Sequence, residues 1–203
     1  MQNMQIGWEK ISENRTSVDS TTAKQNSIDY YGLANKRHCQ VLGSGTKHVK
    51  NAHLWPHNNM ANLSLIDLDA TDIDNPKNVL RLHSDIEHNF DRLLLTFVPS
   101  GDDFVLEVLD PSIKNITLKD TTVTFEGING RPLLFPNGNH PWRRILGTHS
   151  ILAHRKAREK GDLEDDQFTA AESSAQETMA FSLDSEAQAR IRMVFQQYKL
   201  GSS

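Results

Sequence analysis

His53, Asn78 and His88 stand in that order within the segments NAHLWPH (Asn51 to His57) and NPKNVLRLHSDIEHNFD (Asn75 to Asp91). Histidine is the side chain whose ordinary pKa lies near neutrality, so it can take a proton from water at working pH. Histidine and asparagine can both ligate a divalent ion, and asparagine can also brace a loop by hydrogen bonds to backbone. A base beside a divalent ion is the equipment of metal-assisted hydrolysis. Taken singly, the residues have plainer readings. His53 reads as a half-buried strand histidine, Asn78 as a cap or turn residue, and His88 as a solvated helix residue between Glu87 and Asn89. His57 follows His53 closely, but Pro56 interrupts and no glutamate follows His53, so a helical zinc pair does not fit. His83, Asp91 and the acidic stretch DLDATDID are further ligand candidates that spacing does not assign.

These residues need elements to hold them. VKNAHLWP reads as a short strand that ends at Pro56. From Pro76 a helix is expected, with Asn75 as its cap and Val79, Leu82, Ile86 and Phe90 as its apolar stripe. The alternative is an extended turn first, with the helix starting at Ser84. Arg92 to Pro99 and Asp103 to Pro111 read as strands joined by an SGD turn, and Thr121 to Gly127 as a third strand. The NG of Asn129 and Gly130 predicts a hairpin toward RPLLF. Upstream, Asp29 to Gly43 suits a short helix, and residues 9–28 a polar loop or marginal helix. Downstream, a basic helix follows Pro141, then the acidic DLEDDQ, then a helix whose face carries Ala187, Ile191, Val194 and Tyr198.

The segments RHCQVLG, AHLWP, NVLRL and HNFD together resemble the HNH endonuclease family, over roughly Arg37 to Arg92. A variant of that family reads R-x-C-x-v-t-G, A-H-I-x-P, N-x-L-x-L and H-x-x-F-D. The resemblance places Gly43 at the family glycine, His53 at the base, Asn78 at the central asparagine and His88 at the last histidine, with Phe90 and Asp91 as the FD end. It implies an α+β fold with a ββα-metal (HNH) core, additional strands and flanking helices. It also implies phosphodiester hydrolysis, with His53 activating water and His88 binding one divalent ion. Asn78 would hold the His53 loop or reach the ion directly. Mg²⁺ is the first expectation for the ion, with Mn²⁺, Zn²⁺ or Ni²⁺ as alternatives. The expected products carry 5′-phosphate and 3′-hydroxyl ends. Two departures stand out. Ala52 occupies a position that is often Asp or His, a metal ligand, and the cysteine pairs of zinc-bearing relatives are absent.

Composition bounds the rest. The chain has 203 residues and a formal net charge of −4. That balance weighs against a tight, sequence-independent DNA coat but allows a local basic cleft. Arg37, Arg143 and Arg144 are the candidate phosphate contacts, and the run from Arg143 to Lys160 reads equally as a phosphate track or a solvated helix face. The single cysteine, Cys39, allows no intrachain disulfide and reads as a small buried hydrophobe. No apolar run is long enough to span a membrane, and the N-terminus lacks the pattern of a signal peptide. The expected location is therefore intracellular, in cytoplasm or nucleus, with secretion as an effector left open. The expected organisation is a polar segment at 1–28, a nuclease domain with a β extension at 29–160 (core 37–92), and an acidic linker with a C-terminal helix at 161–203.

The leading expectation is a metal-dependent endonuclease acting on nucleic acid, DNA ahead of RNA. One alternative is an HNH scaffold that has lost activity and serves as a nucleic-acid or protein interaction module, supported by Ala52 and the acidic balance. Another is the nuclease payload of an effector or toxin. A homodimer would let one site cut each strand, with the Ala187 to Tyr198 helix as its candidate contact.

Overall fold

Two antiparallel strands and the helix that follows them form the centre of the chain. The computed structural model describes residues 21–56, 63–64 and 68–180, so His57 and the Ala187 to Tyr198 helix lie outside the described residues. Strand β1 (Val49–His53) pairs with β2 (Val79–His83), with Val49 opposite His83 and His53 opposite Val79. Helix α2 (Ser84–Asp91) follows β2 without a break, capped by His83, whose Nδ1 accepts the Asp85 N–H at 3.2 Å. The helix expected from Pro76 is therefore a strand up to His83, and the alternative start at Ser84 is the one the fold adopts. Asn75 does cap, but only the single 3₁₀ turn Pro76–Asn78, through Lys77 N–H at 3.0 Å. All five residues of β2 are buried, so no in–out alternation marks it as a strand and the apolar spacing mimics a helix.

A second hairpin, β3 (Leu95–Ser100) with β4 (Asp103–Val108), turns at Gly101, whose φ of 61° glycine adopts without strain. Residues 130–133 lie along the other edge of β4: Gly130 N–H donates to Leu106 O at 2.7 Å and Leu133 N–H to Phe104 O at 2.8 Å. The NG turn thus leads RPLLF onto β4. The strand expected over Thr121 to Gly127 is not formed; Thr124 makes an isolated bridge to Thr117, and Glu126–Ile128 is a 3₁₀ turn.

Helix α1 (Thr21–Tyr31) lies earlier than the expected helix and stops at Gly32, with φ 66°. Tyr31 is fully buried and its hydroxyl donates to Pro76 O at 3.0 Å, which fastens α1 to the turn beneath β2. Helix α3 (Arg143–Lys160) covers β3, and α4 (Asp165–Ala180) packs on α3. The acidic stretch expected as a linker is thus helical from Asp165. Its first turn carries Asp165 and Asp166, which complement the positive end of the helix dipole. No helix among the described residues is long and apolar enough to cross a membrane.

The basic run on α3 is turned inward or paired. His149 and His154 are buried, Lys156 donates to Arg92 O at 3.1 Å, and Arg158 pairs with Asp165 at 2.6 Å. Lys160 pairs with Asp110 at 2.9 Å and Asp162 at 3.0 Å. Neither a phosphate track nor a purely solvated face describes this helix. His149 stacks flat on Phe90, with ring centroids 3.5 Å apart. Its Nε2 lies 2.9 Å from Phe90 O, an acceptor only, so Nε2 carries the proton and Nδ1 accepts from the Thr96 hydroxyl at 2.9 Å. One neutral imidazole thereby ties α3, β3 and the end of α2 together.

Burial holds His149 at a pKa of about 3, against 6.5 for the free side chain. Below about pH 6.5 the unfolded chain takes up a proton that the native state refuses. Stability is therefore full above that pH and falls as pH drops toward 3, by up to about 1.4 kcal/mol per unit. Burial lowers His83 and His38 as well, so they tilt stability the same way. We expect the urea midpoint to be lower at about pH 5 than at about pH 7.5, and His149→Gln to flatten that dependence. An unchanged slope in the variant would show that another group carries it.

Candidate active site

The segment ahead of β1 forms a tight knuckle. Cys39 and Gly43 exchange backbone bonds, at 2.9 Å from Cys39 N–H and 2.8 Å from Gly43 N–H, and Gly43 takes a φ of 90°. Cys39 is fully buried, as expected, and burial pushes its thiol pKa up. The tie to the hairpin comes from Arg81 on β2, itself fully buried. Its guanidinium donates to Asn51 Oδ1 and to Lys36 O, and its backbone N–H to Gln40 Oε1. A buried guanidinium is tolerated only when its donors find acceptors, and here three segments supply them or meet at them.

His53 ends β1. The chain then leaves the sheet and returns at Asn78, immediately before β2. Asn78 is 1% exposed and closes that excursion. Its Oδ1 accepts the Trp55 N–H at 2.8 Å, and its Nδ2 donates to Trp55 O at 3.1 Å and Ile73 O at 2.8 Å. The backbone adds Leu54 N–H to Asn78 O at 2.8 Å. An amide whose oxygen and both N–H groups are spent on backbone is a brace; of the two roles the resemblance allowed Asn78, the geometry matches this one and not that of a ligand. Its consequence is local: His53 is fixed between the β1 pairing and a clamped Trp55.

The His53 ring is only 13% exposed, and its Nε2 lies 3.6 Å from Asp74 Oδ1. That separation is an ion-pair distance rather than a hydrogen bond. Asp74 belongs to the DLDATDID stretch, which spacing alone could not resolve into a partner. Its neighbours Asp69 and Asp72 close a capping box on the turn Ala70–Asp72 and point their carboxylates at local backbone. Ala52 is fully buried in the apolar core opposite Leu80, so its position contributes no ligand.

On α2, His88 is exposed and its Nε2 sits 3.4 Å from the Arg92 guanidinium. In H-x-x-F-D the leading residue stands three before the phenylalanine, and three before Phe90 is Glu87, not His88. Glu87 is buried, at 6% exposure, on the side of α2 that also carries Ile86 and Phe90. His88, expected as the last histidine of the pattern, stands one residue after that position.

His83 packs under the same helix. Its Nε2 donates to Lys119 O at 3.2 Å, Asp85 accepts Lys119 N–H at 2.7 Å, and His48 meets Asp120 at 2.7 Å. These contacts bind the 119–120 turn to the start of α2. Among the expected phosphate contacts, Arg37 is exposed. Arg143 donates to Asp102 O and Gly101 O at 2.8 and 3.2 Å while lying over the Phe104 ring. Arg144 lies over Trp142. Arg143 is thus committed to the β3–β4 turn. Among the described residues no group of three or more His, Cys, Asp or Glu side chains could hold a metal ion.

The comparisons agree with this geometry where it is densest. Residues 39–98 match the family described as HNH endonuclease, a span that takes in the knuckle, β1, Asn78, β2, α2 and part of β3. No curated protein and no solved structure matches the chain. With the ββα order, His53 at the end of β1 and Asn78 as its brace, residues 39–98 of this α+β chain are similar to the HNH endonuclease family.

Proposed function

We propose that this chain is a metal-dependent endonuclease that hydrolyses phosphodiester bonds, in DNA ahead of RNA. The observation that carries the reading is the fixed placement of His53, paired at the end of β1 and clamped by Asn78 through Trp55. Hydrolysis forms a bond from a water oxygen to phosphorus and breaks the bond to the 3′ oxygen. His53 takes the water proton as that bond forms. The imidazolium that results lies next to the Asp74 carboxylate, whose opposite charge favours it. Asp74 is a positioning residue in this scheme and does not touch substrate.

A divalent ion, when bound, supplies charge stabilisation at the phosphate and at the leaving oxygen. The residues present fit such an ion in one particular form. Mg²⁺ keeps several waters and is held by one or two carboxylates plus substrate phosphates, so it needs no cage of protein ligands. Among the described residues no group of three or more ligating side chains gathers, so only such a sparse shell would suit this chain. The inactive-module reading draws support from the buried Ala52, which removes a ligand position found in many relatives.

A plasmid-nicking assay with Mg²⁺, Mn²⁺ and EDTA decides between the two. We expect metal-dependent nicking that EDTA abolishes and that His53→Ala lowers by about a hundredfold or more, with the circular dichroism spectrum unchanged. Nicking that survives both EDTA and His53→Ala would sink the metal–histidine mechanism. DNA binding without cleavage under any metal would favour the module. Asn78→Ala removes one acceptor and two donors from buried backbone groups, so we expect it to destabilise the fold by about 3 kcal/mol or more in urea titration. A change below about 1 kcal/mol would mean that the loop closes without it.

A further inference from the structure

The net charge of −4 conceals a segregation. Residues 30–66 hold four Lys or Arg and no Asp or Glu, which leaves 18 Lys or Arg against 26 Asp or Glu on the remainder of the chain. Part of that segment is docked on the strand face that carries His53. Side chains alternate along a strand, so Asn51 and His53 share one face of β1, about 7 Å apart. Arg81 stands opposite Asn51, and its guanidinium joins Asn51 Oδ1 to Lys36 O. The Asn35 side chain accepts the Arg37 N–H at 2.8 Å, and Asn35 O accepts the His38 N–H at 3.1 Å. The backbone of Lys36 and Arg37 is thus fixed beside the His53 face, while both residues are exposed. Neither side chain makes an ion pair or a hydrogen bond among the described residues. Other exposed cations are placed differently. Lys50 points to the opposite face of β1, the charge of Lys47 acts on the Asp120 carboxylate, and Arg158 and Lys160 on α3 are paired.

We propose that Lys36 and Arg37 are the phosphate grip of this chain: they hold the backbone of a nucleic-acid strand beside the face of β1 that carries His53. A guanidinium next to an ammonium suits phosphate oxygens, the first through paired N–H groups and the second as a point charge. Successive phosphates of one strand rise about 3.4 Å along the duplex axis, so a grip at the knuckle falls within a few phosphates of a bond placed at His53. Such contacts fix the register of the strand without reading its bases. The inference rests on the nuclease reading only in placing the scissile bond at His53; the grip itself needs no cleavage.

The test is binding of the full chain to labelled DNA duplexes of two unrelated sequences, followed by fluorescence anisotropy in EDTA over a range of salt, with nicking assayed in parallel. We expect Lys36→Gln and Arg37→Gln each to weaken binding several-fold on both sequences. Each should also lower the slope of log affinity against log salt by about one. Lys50→Gln and Lys160→Gln remove the same charge elsewhere and should leave the slope as it is. All four positions are exposed, so the circular dichroism spectra should match that of the unsubstituted chain. An unchanged slope in the Lys36→Gln, Arg37→Gln double variant overturns the grip. So does an equal loss in Lys50→Gln, which would mean diffuse attraction, and so does failure of the unsubstituted chain to bind either duplex. If the chain nicks DNA while the double variant keeps its slope, the grip alone is refuted. If the slopes fall as expected but no metal supports nicking, the grip stands and the nuclease reading falls.

Discussion

The site depends on one buried amide. Between His53 and Asn78 the chain leaves the sheet for a long excursion, and closing such a loop costs conformational entropy that grows with its length. Asn78 closes it with bonds to Trp55 and Ile73, so the two ends of the loop and its return limb meet at a single side chain. No apolar residue of that size could substitute, because three backbone groups would then be buried without partners. Nor does the neighbouring turn suffice: Asn75 caps only its own 3₁₀ turn, and the capping box of Asp69 and Asp72 is closed on itself. The base inherits its position from this closure and from the strand pairing of His53 with Val79.

The knuckle obeys a similar economy. A backbone bridge between Cys39 and Gly43 shapes the turn, and Arg81 docks it. The docking has an electrostatic logic. A guanidinium brings its own charge inward and must be met by neutral carbonyls and an amide. Arg81 finds Lys36 O and Asn51 Oδ1. The same residue aligns β1, β2 and the knuckle, so the strand that bears His53 is braced at two points: by Arg81 at its middle and by Asn78 beyond its tip.

How much of this was legible in the sequence follows from what each signal measures. His53 and Asn78 were legible because their order and their flanking residues survive as a motif. The hairpin β3–β4 was legible because an SGD turn separates two apolar runs. Strand β2 was not, because it is buried on both faces and a strand without alternation carries no period of two. The strand expected at Thr121 to Gly127 failed for the opposite reason: β-prone residues alternated, but β4 already had a better partner in residues 130–133. His88 has the residue type of the motif but stands two residues before Phe90 where the pattern has three. Asp74 lay within a run of similar acids, and only the fold separates it from those that cap their own turn.

The charge balance takes on a different meaning once the fold is known. The basic helix α3 seemed suited to a nucleic-acid backbone, yet Lys156, Arg158 and Lys160 are engaged with Arg92 O, Asp165 and the Asp110–Asp162 pair. Arg143 is held on the β3–β4 turn. These cations stabilise the packing of α3 on the sheet and of α4 on α3, and they are not spread as a phosphate-binding surface. Exposed basic residues lie instead on the knuckle and the hairpin, at Lys36, Arg37, Lys47 and Lys50.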